Sequence, residues 1–153
     1  MHKRARSWTS WLGVAVLLSV VAAGAFAFAS SALGAADVES LKNDVSELKS
    51  RAGVGRLLAE QAASGNVTDT FVRAQSEQMR KGVEATRAKL DPAEFEQSLG
   101  TRVMKASDAA LRLEGSLRAL RDGGAGRGSA ESAKRSLAAL QAELSEMEDG
   151  LKQ

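Results

Sequence analysis

Few side chains in this sequence have the types and spacing that catalysis or metal binding requires. The chain has 153 residues with no cysteine and a single histidine, His2. It therefore lacks an internal histidine base for a Ser-His-Asp triad, thiolate ligands for a metal, and disulfides. A serine–lysine pair is compatible with the composition, but the sequence predicts no strand-turn-helix elbow to expose a nucleophilic serine. We therefore expect a protein that is not an enzyme.

An acidic group near the C-terminus is the nearest approach to a metal site. It comprises Glu143, Glu146, Glu148 and Asp149. Glu143 and Glu146 share one helical face, which would suit weak binding of Ca²⁺ or Mg²⁺ with water completing the shell. Because the group lacks the loop of oxygen ligands of a dedicated site, we interpret it as a solvated helix face.

The glycine-rich run at residues 122–129 precedes a helix, as phosphate-binding loops do. It follows a helix instead of a strand, and it matches neither the GxGxxG pattern nor the Walker A pattern with its lysine. We interpret it as a flexible linker whose last residue, Ser129, caps the next helix. The sequence thus predicts no cofactor and no metal.

The charge distribution points to a membrane and not to nucleic acid. Residues 1–36 contain Lys3, Arg4 and Arg6 and no acid, whereas residues 37–153 hold the other 18 basic side chains and all 19 acidic ones. In this second part opposite charges recur four residues apart, which is typical of a salt-bridged solvent face. A single-sign stripe of the kind that binds nucleic acid is not present in the sequence.

An uncharged and mostly apolar stretch from Ser7 to Ala36 follows the basic cluster. About 20 helical residues at about 1.5 Å each cross the ~30 Å hydrocarbon layer, so a segment within residues 8–34 is long enough to span a bilayer. The basic residues before it should stay in the cytoplasm, and Trp8 and Trp11 lie where the headgroup belt of that side would fall. We predict a single pass through the inner (cytoplasmic) membrane, with the rest of the chain outside the cytoplasm.

Two signal-peptidase sites leave the fate of this segment open. Ala27-Phe28-Ala29 and Ala32-Leu33-Gly34 both place small residues at the −3 and −1 positions. The apolar run is longer than the roughly 7–15 residues of a signal-peptide core, which favours retention as an anchor. The alternatives are an anchor at residues 1–36 and a periplasmic or secreted protein released by cleavage.

Small residues recur every four positions within this stretch and would allow two transmembrane helices to approach closely. An alanine-rich segment also produces such a pattern by chance, and the run contains no GxxxG pair. The residues of this candidate ridge are Ala15, Ser19, Ala23, Ala27 and Ser31.

After Asp37 the apolar residues follow helical spacing, and no segment alternates with the period of two that is typical of a strand. The pattern predicts four helices, at about residues 38–63, 67–89, 92–121 and 130–151. The expected inward residues are Phe71, Met79, Val83, Thr86 and Leu90 on the second helix, Phe95, Leu99, Val103, Ala106, Ala110, Leu113, Leu117 and Leu120 on the third, and Ala133, Leu137, Leu140, Leu144, Met147 and Leu151 on the fourth.

Local signals mark where two of these helices should begin. Asn66 should cap the second helix, because its short side chain can accept a hydrogen bond from a free amide of the first turn. Asp91 should cap the third, with Pro92 at the first helical position, where no amide donor is needed.

The first helix begins with a coiled-coil-like seam that alternates valine and leucine, as parallel dimers favour. It lasts only about two heptads, fewer than the three or four of a firm coiled coil. We take it as the candidate self-association seam, formed by Val38, Leu41, Val45 and Leu48.

Short loops favour antiparallel neighbours, so the sequence predicts an all-α fold: a transmembrane helix or signal segment, then an up-down-up-down bundle with coiled-coil-like seams. The core should be thin, because alanine at inward positions buries little area at about 25 cal/mol per Å². A protein partner or a homo-oligomer is therefore expected to add stability. Gly82, Gly100 and Gly115 cost up to about 1 kcal/mol each inside a helix, and the sequence gives no reason for them.

These features predict a non-enzymatic, membrane-anchored, extracytoplasmic helical interaction or scaffold protein. The alternative is an exported chaperone or small-ligand carrier, released by cleavage, that uses an apolar groove between helices. Export, size and the Leu90-Asp91-Pro92 step resemble small periplasmic stress chaperones. The LTxxQ repeats that define those chaperones are absent, so the resemblance transfers no residue roles.

Overall fold

The computed structural model describes residues 38–152, which form four α-helices and two short 3₁₀ turns. No strand occurs in this range, so the predicted all-α helical bundle is confirmed for it. None of these four helices combines the length and the apolar character needed to cross a bilayer. The helices are α1 (Val38–Ala63), α2 (Asp69–Arg87), α3 (Gly100–Gly123) and α4 (Arg127–Gly150), and the 3₁₀ turns are Pro92–Glu94 and Gln97–Leu99.

Helix α2 begins two residues later than predicted, because Thr68 and not Asn66 caps it. The Thr68 hydroxyl accepts a hydrogen bond from the Phe71 amide at 3.3 Å, which satisfies one of the free amides of the first turn. Asn66 lies in the preceding loop, where its side-chain amide donates to Gln61 at 3.0 Å. Gly65 turns this loop with a φ of +71°, a conformation that glycine adopts without strain.

The predicted start of the third helix at Pro92 is wrong, since α3 begins at Gly100. Asp91 does cap a turn there, and its carboxylate accepts a hydrogen bond from the Ala93 amide at 3.0 Å, but the turn is a single 3₁₀ turn. Phe95 follows in an extended conformation and is buried. An aromatic ring in the core buries a large apolar area, and this tertiary contact accompanies the interruption of the helix.

Helix α4 begins at Arg127, three residues earlier than predicted, and Gly126 rather than Ser129 occupies its N-cap. Ser129 lies in the first turn, where its hydroxyl donates to the Gly126 carbonyl at 2.7 Å. Gly124 has a φ of +55°, which favours glycine and allows the chain to reverse within a very short loop.

The inward residues predicted on α3 and α4 are buried, except that Met147 is half-buried. Phe71 of α2 is an exception, since it is 37% exposed and Val72 lies inward instead. Val72 lies seven residues before Met79 and so shares its helix face, whereas Phe71 is one position out of that register. The buried apolar residues are Val103, Ala106, Ala109, Ala110, Leu113, Leu117 and Leu120 on α3, and Ala130, Ala133, Leu137, Leu140 and Leu144 on α4.

Each helix packs against the next one along the chain, and α1 also packs against α4. Ion pairs give the relative direction of α1 and α4: Lys49 of α1 pairs with Glu148 of α4. Further along α1, Glu60 lies 3.8 Å from Lys134, near the start of α4. The two helices are therefore antiparallel, and ion pairs between α2 and α3 run in opposite order in the same way.

Gly55 lies where α1 meets both α3 and α4. A Cβ atom at Gly55 would lie 3.1 Å from a methyl of Leu117 and 3.4 Å from a methyl of Leu137. Both distances leave little room for a larger residue, so the leucines of two other helices fill the space that this glycine leaves.

Gly82 of α2 also has a close neighbour, the flexible end of the Arg51 side chain, which could move aside for a larger residue. The Arg51 side chain, whose Nε donates to Glu47 at 3.1 Å, lies over Gly82 so closely that any Cβ there would overlap its guanidinium. Gly100 and Gly115 differ, because an added Cβ would meet nothing within 4 Å at either position.

Replacing Leu113 with alanine should destabilise the bundle by about 2–5 kcal/mol, because this side chain is fully buried and its truncation leaves a cavity. Leu57 of α1 is 52% exposed, so Leu57→Ala is the control and should change stability by less than about 0.5 kcal/mol. Urea unfolding followed by far-UV circular dichroism measures both, since the bundle contains no tryptophan or tyrosine. Equal losses in the two variants would contradict the assignment of the core face.

Candidate functional site

Helix α3 carries an exposed apolar face that the bundle does not cover. Met104 is 52% exposed and Leu111 56% exposed, and their spacing of seven residues places them on the same face. Gly100 and Gly115 extend this face at either end, with open space where a Cβ would lie. We call Gly100, Met104, Leu111 and Gly115 the outer α3 stripe.

The inward heptad, on which the predicted core depends, does not contain the residues of this stripe. Met104 and Leu111 each lie one position after a buried residue of that heptad, Val103 and Ala110. One position is about 100° of rotation, which turns a side chain away from the core. Two large apolar residues at the same offset from the core register were the signal that could have revealed the stripe.

Charged side chains flank the outer α3 stripe. Lys105 and Asp108 lie on one side of it and are exposed, and Lys105 forms no ion pair among residues 38–152. Arg112 is occupied, since its guanidinium donates to Glu143 of α4 at 2.9 Å and that carboxylate raises the pKa of Arg112. Lys105 is therefore available for a contact outside the chain, whereas the charge of Asp108 also acts on Arg112.

An open groove of about 660 Å³ runs between α3 and α4 beside the stripe. The salt bridge between Arg112 and Glu143 lies along it. Side chains this small leave a shallow channel with hydroxyl groups along one wall and no deep pocket. The small residues of its walls are Gly115, Ser116, Ala119, Ser132, Ser136 and Ala139.

A second groove, of about 460 Å³, lies at the end of the bundle where α1 begins and α4 ends. Its apolar part comes from α1, the end of α4 and the residue that follows it, and charges of both signs surround it. Such a groove can take a small amphipathic molecule, with the apolar part of the molecule inside. The apolar residues are Leu41, Val45, Met147 and Leu151, and the charged ones are Arg102, Lys105, Glu143 and Glu146.

The candidate self-association seam lies mostly inside the bundle. Leu41, Val45 and Leu48 are at most 1% exposed, and only Val38, at the first residue of α1, is exposed. Helix α1 packs against other helices of the same chain, chiefly α4, so these three residues do not form an exposed seam in the folded bundle. The candidate ridge at Ala15, Ser19, Ala23, Ala27 and Ser31 lies outside the described residues.

The acidic group near the C-terminus is spread over separate ion pairs. Glu143 pairs with Arg112, Glu148 with Lys49 of α1, and Asp149 with Lys152 at 2.7 Å. Between residues 38 and 152 no group of three or more potential ligands lies close enough to hold a metal ion.

The polar contact between α2 and α3 centres on Glu77. Its carboxylate accepts hydrogen bonds from Arg80 on α2 at 2.9 Å and from Arg121 on α3 at 2.9 Å. These two guanidinium groups lower the pKa of Glu77 from its ordinary value of 4.5 to about 2. Nearer the other end of α2, Arg87 donates to the buried Glu114 at 2.7 Å, so two charged contacts fix the register of this helix pair.

The pKa of Asp44, on α1, is shifted in the direction opposite to that of Glu77. It is buried, and this burial raises its pKa above the ordinary value of 3.8. Lys89, whose ammonium lies 3.9 Å away, opposes the increase, and the negative charge of Glu47 adds to it. The charged form of Asp44 is therefore less favourable in the folded chain than in the unfolded one.

Ser76 of α2 is fully buried, and its hydroxyl has no hydrogen-bond partner among the described residues. A buried hydroxyl without a partner carries the full cost of its desolvation.

Comparison of the chain with protein-family models, with curated proteins and with solved structures finds no match. Function must therefore be inferred from the residues and surfaces of the chain itself.

The two carboxylates with shifted pKa values predict opposite effects of pH on stability. The folded pKa of Glu77 lies below its ordinary value, so its contribution is complete above about pH 4.5 and is lost as the pH falls towards 2. Glu77→Gln should lower the free energy of unfolding at pH 7 and should flatten its decline between these two pH values.

Asp44→Asn should instead raise the free energy of unfolding at pH 7 relative to pH 3, because it removes a buried charge that forms only as the pH rises. Urea unfolding at a series of pH values tests both, and the same direction of change in the two variants would contradict the assignments.

Ser76→Ala should stabilise the bundle by about 1 kcal/mol, because it removes an unpaired buried hydroxyl and places a better helix former in α2. Ser116→Ala is the control, since the Ser116 hydroxyl already donates to the Arg112 carbonyl at 3.0 Å and lies in solvent reach. Thermal unfolding of both variants provides the comparison. Destabilisation by Ser76→Ala would show that the hydroxyl has a partner after all.

Proposed function

We propose that this protein is a membrane-anchored, non-enzymatic helical module that acts through protein–protein contacts outside the cytoplasm. The observation that carries the proposal is the order of its parts. Lys3, Arg4 and Arg6 precede the uncharged stretch from Ser7 to Ala36, and a folded bundle begins almost immediately after it, at Val38. That order is typical of a single-pass anchor with a folded domain on the far side of the membrane.

The surface of the bundle supports the interaction part of the proposal. Its outer α3 stripe exposes Met104 and Leu111 next to the unpaired Lys105. Large apolar side chains on a solvent face lower solubility unless something covers them, and a charged rim around an apolar centre is typical of protein interfaces. Both neighbouring grooves are open to solvent and shallow, which suits contact with another macromolecule better than enclosure of a substrate.

Intact mass and extraction of the full chain test the anchor. The protein recovered from the membrane fraction should resist alkaline carbonate and retain Trp8 and Trp11, so its mass should include the first 34 residues. Val20→Asp places a charge in the centre of the apolar stretch and should release the protein into the soluble fraction, because such a charge costs about 2.5–3.5 kcal/mol there. Ser31→Asp, near the end of the stretch, is the matched control and should remain in the membrane.

A mass that begins after Ala29 or Gly34 would contradict anchoring and favour release by cleavage. Protease added to spheroplasts should digest the bundle of the anchored protein, and full protection would contradict its location outside the cytoplasm.

The groove at the end of the bundle favours a second candidate function, the carriage of a small amphipathic ligand by an exported protein. Its apolar wall includes Met147 and Leu151, and Arg102 on its rim offers a cation to an acidic head group. A fluorescent fatty acid is the probe. Met147→Glu should abolish its binding if the groove is the site, while Leu57→Glu on the exposed face of α1 should leave binding unchanged. Equal binding by both variants would remove this candidate.

A further inference from the structure

We infer that the outer α3 stripe is a self-complementary interface on which a second copy of this chain docks antiparallel, α3 against α3. This inference rests on the proposed interaction function and names the partner. It differs from the seam predicted from the sequence, whose inner residues lie in the core of the bundle.

The spacing of the stripe is the first argument. It is the same in both directions: four residues from Gly100 to Met104, seven to Leu111 and four to Gly115. A twofold axis between Ser107 and Asp108 would therefore place Met104 against Leu111 of the second copy, and Leu111 against Met104. Isologous contacts of this kind require a surface that is complementary to itself, and this pattern satisfies the requirement along a length of about 22 Å.

The glycines are the second argument. In the twofold arrangement Gly100 of one copy faces Gly115 of the other at both ends of the contact. Neither glycine is required by the fold, since a Cβ would meet nothing within 4 Å, and Gly115 costs α3 up to about 1 kcal/mol relative to alanine. Facing glycines allow two helix backbones to approach closely, which brings the larger side chains between them into contact.

Charge complementarity is the third argument. Lys105 and Asp108 lie on the same side of the stripe, and in an antiparallel pair equivalent sides face each other. Lys105 then lies within about 3 Å, along the helix axis, of the level of Asp108 of the second copy. The twofold axis creates two such pairs and also brings the two Asp108 carboxylates to within about 1.5 Å of the same level, so the four side chains form one cluster. In this cluster the two lysines, which have no ion-pair partner among residues 38–152, offset the repulsion between the facing carboxylates.

The size of the contact predicts a weak dimer. One helix face of this length buries roughly 1,000 Å² in total, which is the small end of specific protein interfaces. Apolar contact between the two methionine–leucine pairs would supply most of the affinity, and the lysine–aspartate pairs would mainly fix direction and register.

Cysteine cross-linking of the full chain in detergent micelles tests this geometry, because the sequence contains no native cysteine. Ser107→Cys lies beside the axis, so mild oxidation should give a disulfide-linked dimer. Met104→Cys and Leu111→Cys should each give little dimer alone, since seven residues separate the two copies of each by about 10 Å, beyond the reach of a disulfide. A mixture of these two proteins, tagged to differ in mass, should give the heterodimer. Leu57→Cys on α1 is the control for random collision.

Two further variants test the apolar and the charged contacts separately. In the Ser107→Cys background, Leu111→Arg should reduce cross-linking at least tenfold, whereas Leu57→Arg, at a similarly exposed leucine, should not. Lys105→Asp and Asp108→Lys should each weaken cross-linking, and the double exchange should restore it. Circular dichroism of each variant verifies that the bundle remains folded.

Cross-linking of Ser107→Cys no greater than that of Leu57→Cys would overturn the inference. Efficient dimerisation of Met104→Cys with itself would overturn the antiparallel arrangement. Either result leaves the anchor intact if carbonate extraction still retains the chain in the membrane, so the two proposals fail independently.

Discussion

The bundle depends on the close approach of its helices at small residues. Gly55 lets α1 come near enough for methyls of Leu117 and Leu137 to lie against its backbone. Alanines occupy much of the remaining inward surface, notably Ala106, Ala109 and Ala110 of α3. Close backbones compensate for small side chains, because packing density and not side-chain size decides whether a core excludes water. The leucines then fill the spaces between the helices.

Charged contacts between the helices fix which residues face each other along the bundle. An alanine-rich interface specifies register weakly, because neighbouring small residues are nearly interchangeable. Between α2 and α3 the register is set at two levels, by Glu77 with Arg121 and by Glu114 with Arg87. Glu114 is buried, so a slip of the helices would leave its charge without a partner, which is strongly unfavourable. The pKa of Glu77 is lowered first by Arg80 of the same helix and then by Arg121 of α3, so the contact between the helices supplies part of the shift.

Periodicity in the sequence was sufficient to predict four helices and most of their buried faces, because the a/d spacing of leucine and alanine is regular. The prediction failed where an interaction with a distant residue decides the outcome. Pro92 begins a turn as its local signals indicate, but Phe95 is then buried in an extended conformation and α3 begins only at Gly100. Phe71 was assigned inward for its hydrophobicity, although the register of α2 favours Val72. Gly82 lies under the end of the Arg51 side chain, a contact that no local pattern contains.

In the candidate site too, local patterns were readable from the sequence but contacts between distant residues were not. The seam at Leu41, Val45 and Leu48 was recognisable as a packing surface, but a heptad does not state whether its partner belongs to the same chain or another. The fold answers that question for α1 and leaves it open for α3, whose second apolar face has no covering helix among the described residues.

An uncovered apolar face matters more in a bundle with a thin core than in a well-filled one. Burying the exposed halves of Met104 and Leu111 removes roughly 150 Å² of apolar surface per chain from water, which corresponds to about 4 kcal/mol at 25 cal/mol per Å². This gross gain is of the same order as the lower end of the net stability of small domains, which is about 5–15 kcal/mol. Ordering of side chains and loss of rotational freedom offset part of this gain. Covering these two side chains by a second copy would therefore add a useful increment to the net stability of a bundle that relies on alanine for its interior.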